Sequence, residues 1–61
     1  MIVKFTESKS NTPIGINTDN IVAVFEAFEG EFVGKTVLNL IGGSVIVEES
    51  LIDVLGQLAA V

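Results

Sequence analysis

The sequence predicts an α+β domain: a small antiparallel β-sheet, or a partly open barrel, of four to five strands followed by one C-terminal helix. Three observations carry that expectation. Apolar and β-branched residues recur at period two in several short runs before residue 48. Gly42-Gly43 sits between two such runs, a strong signal for a two-residue hairpin turn. Leu51, Val54, Leu55 and Leu58 then recur at i, i+3, i+4 and i+7, which is one stripe of a helix. A chain of 61 residues leaves room for one domain, spanning 1–61.

The first strand is expected at 2–6, with Val3 and Phe5 on one face and Lys4 and Thr6 on the other. Glu7 to Pro13 is polar and turn-forming and ends on the only proline. A short strand at 14–16 follows, and its proline neighbour and Gly15 mark it as an edge or a bulge. Asn17 to Asn20 is a turn, because Asn and Asp side chains hydrogen-bond nearby backbone. The third strand, at 21–28, is apolar on both faces. Ile21, Ala23, Phe25 and Ala27 line one, and Val22, Val24 and Phe28 line the other, interrupted by Glu26. Such a strand is covered on both sides, here by the helix on one and by another subunit on the other. In the loop Glu29 to Lys35, Phe32 is either an exposed anchor or a residue folded back on the core.

Strands at 36–41 and 44–48 complete the hairpin. With Gly42-Gly43 as the turn, Leu40 faces Val45 and Leu38 faces Val47, an apolar face that belongs to the core. The opposite face carries Val37, Asn39, Ile41, Ser44, Ile46 and Glu48 and is half apolar. The helix is expected at 50–60. Ser50 with Asp53 three residues on resembles a capping box, with Asp in place of Glu. Glu48 and Glu49 lie by the positive end of the helix dipole. Ile52 and Ala59 widen the apolar stripe, so the polar side is little more than Asp53 and Gln57.

Composition narrows the chemistry. The chain lacks His, Cys, Arg, Tyr and Trp. It therefore has no usual general base near neutral pH, no thiol nucleophile or thiol-based zinc site, and no arginine clamp. No catalytic, cofactor-binding or metal-binding residue is assigned, and enzymatic activity is not expected. Lys4 or Lys35 could in principle activate Ser8, Ser10 or Ser44, but no local motif supports a dyad. An EF-hand frame starting at Asn17 puts Val22 where the loop needs glycine and Phe28 where it needs glutamate. Glu29-Gly30-Glu31 reads as solvated charge, or as a weak cation site at most. A net charge of −5 with three lysines argues against a nucleic-acid partner, which needs a basic surface. The longest apolar run, Ile21 to Phe25, is far too short to span a membrane, and Met1 to Phe5 does not open like a signal peptide, so a cytoplasmic location is expected.

What remains is an excess of apolar side chain. It makes up 49% of the residues, with a mean hydropathy of +0.68. A lone domain this small buries only about 60% of the surface of its unfolded chain. Without disulfides or metals, oligomerisation is the usual route to stability at this size. The expectation is a self-associating protein, a homo-oligomer or a complex with another protein. Its interface would draw on Val22, Val24, Val37, Ile41, Ile46, Ile52 and Ala59. The alternative is a small oligomeric regulatory or nucleic-acid-binding module.

The order of these pieces resembles small bacterial flagellar accessory proteins of the FlbD/SwrD type. The matching residues are Met1-Ile2 with Thr6, Asn17 with Ile21, Phe25-Glu26, Thr36-Val37-Leu38-Asn39-Leu40 with Gly43, and Val47-Glu48-Glu49-Ser50. The family's basic surface and its Pro-Asp turn after the Ile-Glu strand have no counterpart here. The resemblance implies an accessory role of no assigned chemistry and transfers no site residue; the expectation is a bacterial or phage accessory protein.

Overall fold

In a computed structural model, which describes residues 1–61, five strands precede one helix. They are β1 (Ile2–Thr6), β2 (Pro13–Asn17), β3 (Ile21–Glu26), β4 (Thr36–Leu40), β5 (Gly43–Val47) and α1 (Leu51–Ala59), with a single 3-10 turn at Thr18–Asn20. The predicted α+β architecture is the one found. β1 and β2 form an antiparallel pair, and β3, β4 and β5 form a second antiparallel sheet in that order. The sheets do not close into a barrel but meet at one corner. There Glu7 bridges Val47, the Ser8 N–H donates to the Ile46 carbonyl (2.8 Å), and the Glu48 N–H donates to the Thr6 carbonyl (2.8 Å). No helix is long and apolar enough to cross a membrane.

Each layer supplies the core. Val3 and Phe5 come from β1, Ile16 from β2, Leu38 from β4, Val47 from β5 and Val54 from α1. Val3 and Phe5 are two apart and so share a face of β1, opposite Ile16 and Ile14 of β2. Thr36 is the one buried polar residue. Asn17 closes the turn into β3, its side-chain oxygen accepting from the Asp19 N–H at 3.1 Å. Ser50 is the N-cap of α1, and its hydroxyl accepts from the Asp53 N–H at 3.2 Å. This is the forward half of the expected capping box.

Three local details depart from the sequence expectation. The hairpin turn is Ile41-Gly42, so Leu40 pairs with Gly43 and Leu38 with Val45. Gly42 has φ +88°, which the second central position of such a turn demands and glycine alone adopts without strain. Leu38, Leu40, Val45 and Val47 stay on one face because the register moves by an even step. In β3 a bulge falls between Ile21 and Ala23. The extra residue, Val22, breaks the alternation, so Ile21 and Val24 both pack against the core while Ala23 and Phe25 face away. Finally, β3 ends at Glu26, where 28 was expected, although the Ala27 N–H still donates to the Lys35 carbonyl at 2.9 Å.

Gly56 lies within α1, and a Cβ added there would meet nothing within 4 Å. Gly56→Ala is therefore expected to stabilise the protein by about 1 kcal/mol, the usual glycine penalty inside a helix. In thermal unfolding that appears as a rise in Tm of roughly 4–8 °C for a domain of this size.

Candidate interaction surface

The β3–β4–β5 sheet turns one face inward and one outward. Ladder pairing sets the outer face in two rows. Phe25, Val37 and Ile46 stand side by side across the three strands, and Ala23, Asn39 and Ser44 form the next row. Side chains directly opposite on one face lie within contact range, so the first row is a continuous apolar strip. Val37 and Ile46 are half-buried and Phe25 is exposed. The sequence places Val37 and Ile46 on one face, and the register of the Ile41-Gly42 turn makes them direct cross-strand neighbours.

The other expected interface residues fall elsewhere. Val22 is the bulge residue, 65% exposed. Ile41, expected on the sheet face, sits at the tip of the hairpin turn and is 71% exposed. Ile52 and Ala59 lie on α1, seven residues apart, with Leu55 between them on the same side. All three are exposed, Ile52 at 83%. The buried side of α1 is instead Val54 with Leu58 packed beside it. Val24 does not belong to the outer surface. Period two places it with Val22, but the bulge rotates it inward, where it packs against the core.

Two surface residues escape the sequence reading. Phe25 joins the outer strip only because of the bulge, and no residue in Ile21–Phe25 signals one. In the β3–β4 loop, Phe32 is half-buried, and the exposed aromatic is Phe28. Phe28 lies beyond the last ladder residue of β3, so strand alternation no longer applies to it. Glu29 and Glu31 are exposed in the same loop.

Polar groups cluster where the two sheets meet. The Glu48 carboxylate accepts from the Ser8 hydroxyl on one oxygen and from the Lys35 ammonium (3.0 Å) on the other. The Ser8 hydroxyl, and then Lys35, hold the Glu48 carboxyl below the ordinary glutamate value of 4.5. No lysine hydrogen-bonds a serine here, and Lys35 is engaged by the carboxylate. Glu49 does more than sit by the helix dipole. Its two carboxylate oxygens accept from the Thr6 N–H at 3.0 and 3.1 Å, and its carbonyl accepts from the Thr36 hydroxyl at 2.8 Å. Beside this corner is a notch of about 110 Å³ lined by Glu7, Lys9, Ser44, Val45 and Ile46. Small-molecule sites run to roughly 300–1,000 Å³, so the notch does not fit one.

Because the folded-state pKa of Glu48 is depressed, its interactions stabilise the protein above the unfolded-state value and fade as pH falls through the folded one. Urea midpoints for the protein and for Glu48→Gln are expected to differ slightly at neutral pH and to converge below pH 4.5. The group is exposed, which keeps the difference small.

Compared with protein-family models, curated proteins and solved structures, the chain matches none.

Proposed function

We propose that the protein is a small acidic, self-associating unit that serves as a non-catalytic interaction or accessory factor in the cytoplasm of a bacterium or of a phage-infected cell. The observation that carries this reading is the balance of buried and exposed apolar side chain. Six apolar residues are buried, whereas Met1, Ile2, Val22, Phe25, Phe28, Val33, Ile41, Ile52, Leu55 and Val61 are all exposed. Scattered surface apolar residues are ordinary, but the strip Phe25–Val37–Ile46 and the stripe Ile52–Leu55–Ala59 are contiguous, and contiguous apolar surface marks contact sites. A second copy of the chain supplies the same surface in return, as a two-fold interface requires. The non-catalytic part of the reading rests on the side chains available, with no His, Cys, Arg or Tyr. The order of strands and the Val47-Glu48-Glu49-Ser50 entry into the helix, similar to flagellar accessory proteins, support an accessory role.

Sedimentation equilibrium from nanomolar to micromolar concentration tests the proposal. Self-association is the expected result, with Tm rising as concentration rises. A monomer at every concentration, with a Tm that does not move on dilution, would refute it.

A further inference from the structure

We infer that two copies pair through the outer edges of their β3 strands, antiparallel about a two-fold axis at Val24, so that the three-stranded sheets join as one six-stranded sheet. This rests on the self-association proposed above and assigns it a site. The Ala27 N–H donates to the Lys35 carbonyl and the Ala27 carbonyl accepts from the Gly34 N–H at 3.0 Å. Ala27 thus turns its backbone toward β4, and by antiparallel alternation so do Phe25 and Ala23. Val24 and Glu26 then turn their N–H and C=O groups away from β4. No hydrogen bond outside the ladder reaches either residue.

The other edges are each engaged or interrupted. β2 carries Pro13, which has no N–H to offer, at β5 the Ile46 carbonyl already accepts from Ser8, and β1 carries Lys4 and has its Thr6 N–H and carbonyl taken by Glu49 and Glu48. β3 is the longest strand, with no proline or lysine and a single charge, Glu26. Its bulge falls at one end, at Val22, so Ala23 to Glu26 is the stretch of edge most open to another strand.

The side chains of β3 fit a second copy of β3. With the axis at Val24, Val24 lies opposite its own counterpart, and each Ala23 lies opposite the partner's Phe25. A large ring meets a small residue twice, on the outer face where both are exposed. Each Glu26 lies opposite the partner's Val22. Four residues of offset keep the two Glu26 carboxylates about 14 Å apart, beyond the screening length of about 8 Å at physiological salt. Parallel pairing would place them side by side.

The chain has no cysteine, so introduced thiols report only on this contact. Opposite residues at a non-hydrogen-bonded pair lie about 4.5 Å apart at Cα, within disulfide range. A mixture of Ala23→Cys and Phe25→Cys chains is expected to form a mixed disulfide on mild oxidation. Either variant alone, with its thiols about 8 Å apart at Cα, is expected to form little. Glu26→Pro removes an outward N–H while leaving the bonds to β4, and it should weaken self-association at least tenfold. Glu26→Gln should leave it unchanged or slightly stronger. If the unaltered protein associates but the cysteine mixture forms no mixed disulfide and Glu26→Pro associates normally, the edge pairing is wrong and self-association stands. If the unaltered protein is monomeric throughout, both fall. Should Glu26→Pro fail to fold, the cysteine mixture decides.

Discussion

Phe5→Ala is expected to leave the protein predominantly unfolded at 25 °C. Phe5 is 1% exposed and lies in β1 opposite Ile14. With Val3 and Ile16 it presents the β1–β2 pair to Leu38, Val47 and Val54, so it is a contact between the two sheets as well as a large buried side chain. Truncating a buried phenylalanine to alanine costs about 3–5 kcal/mol, part lost transfer energy and part the cavity left behind. A single core in a chain this short rarely supplies more than about 3–5 kcal/mol in total. The substitution therefore removes about as much stability as there is. Far-UV circular dichroism and urea titration check it, with two comparisons that fix the cause. Phe5→Leu keeps most of the volume and should fold, at a cost of about 1.5 kcal/mol. Ile2→Ala, on the same strand but exposed, should stay within about 0.5 kcal/mol of the unaltered protein. A folded, cooperative Phe5→Ala protein would mean that the core is not organised around this ring.

The same residue shows how far local sequence carries. Val3-Lys4-Phe5-Thr6 alternates cleanly, and a strand with Val3 and Phe5 inward is what the structure contains. Ser50 and the i, i+3, i+4 spacing after it fix α1 in the same local way. Where the sequence misleads, the cause is either an alternation it cannot show to be broken or a partner far along the chain. Val22 looks like any other strand residue, yet as a bulge it turns the Val24 side chain off the outer face and against the core, and puts Phe25 on the outer strip. Gly42 and Gly43 are both glycine, and only the conformation reveals that Gly42 carries the positive φ and Gly43 starts β5. The candidate surface inherits both effects. That Val37 and Ile46 share a face follows from alternation around the hairpin, while their pairing and the place of Ile41 depend on the turn register.

Glu49 is the clearest case of a role set by distant residues, and it leads to the second large effect. Thr36 is fully buried and its hydroxyl donates to the Glu49 carbonyl, while the Glu49 carboxylate receives the Thr6 N–H from β1, 43 residues away. One residue between β5 and α1 thus ties the start of β4 to the end of β1. Thr36→Val keeps the shape and improves β-propensity, yet it leaves the Glu49 carbonyl without its donor. The expected cost is about 1–2 kcal/mol, the penalty of an unpaired polar group in a mostly buried setting. Glu49→Ala should cost a similar amount, about 1–2 kcal/mol, because a charged acceptor of a backbone N–H is lost. The two bonds share one residue, so the losses should not add. Once the carboxylate is gone the linker is less firmly held, and the carbonyl is freer to find water when Thr36 is replaced. The double variant is expected to fall short of the sum by about 0.5–1 kcal/mol in urea unfolding, a coupling typical of one hydrogen-bond network. Strict additivity would mean that the Thr6 and Thr36 attachments hold independently, and that the corner between the two sheets is not a single joint.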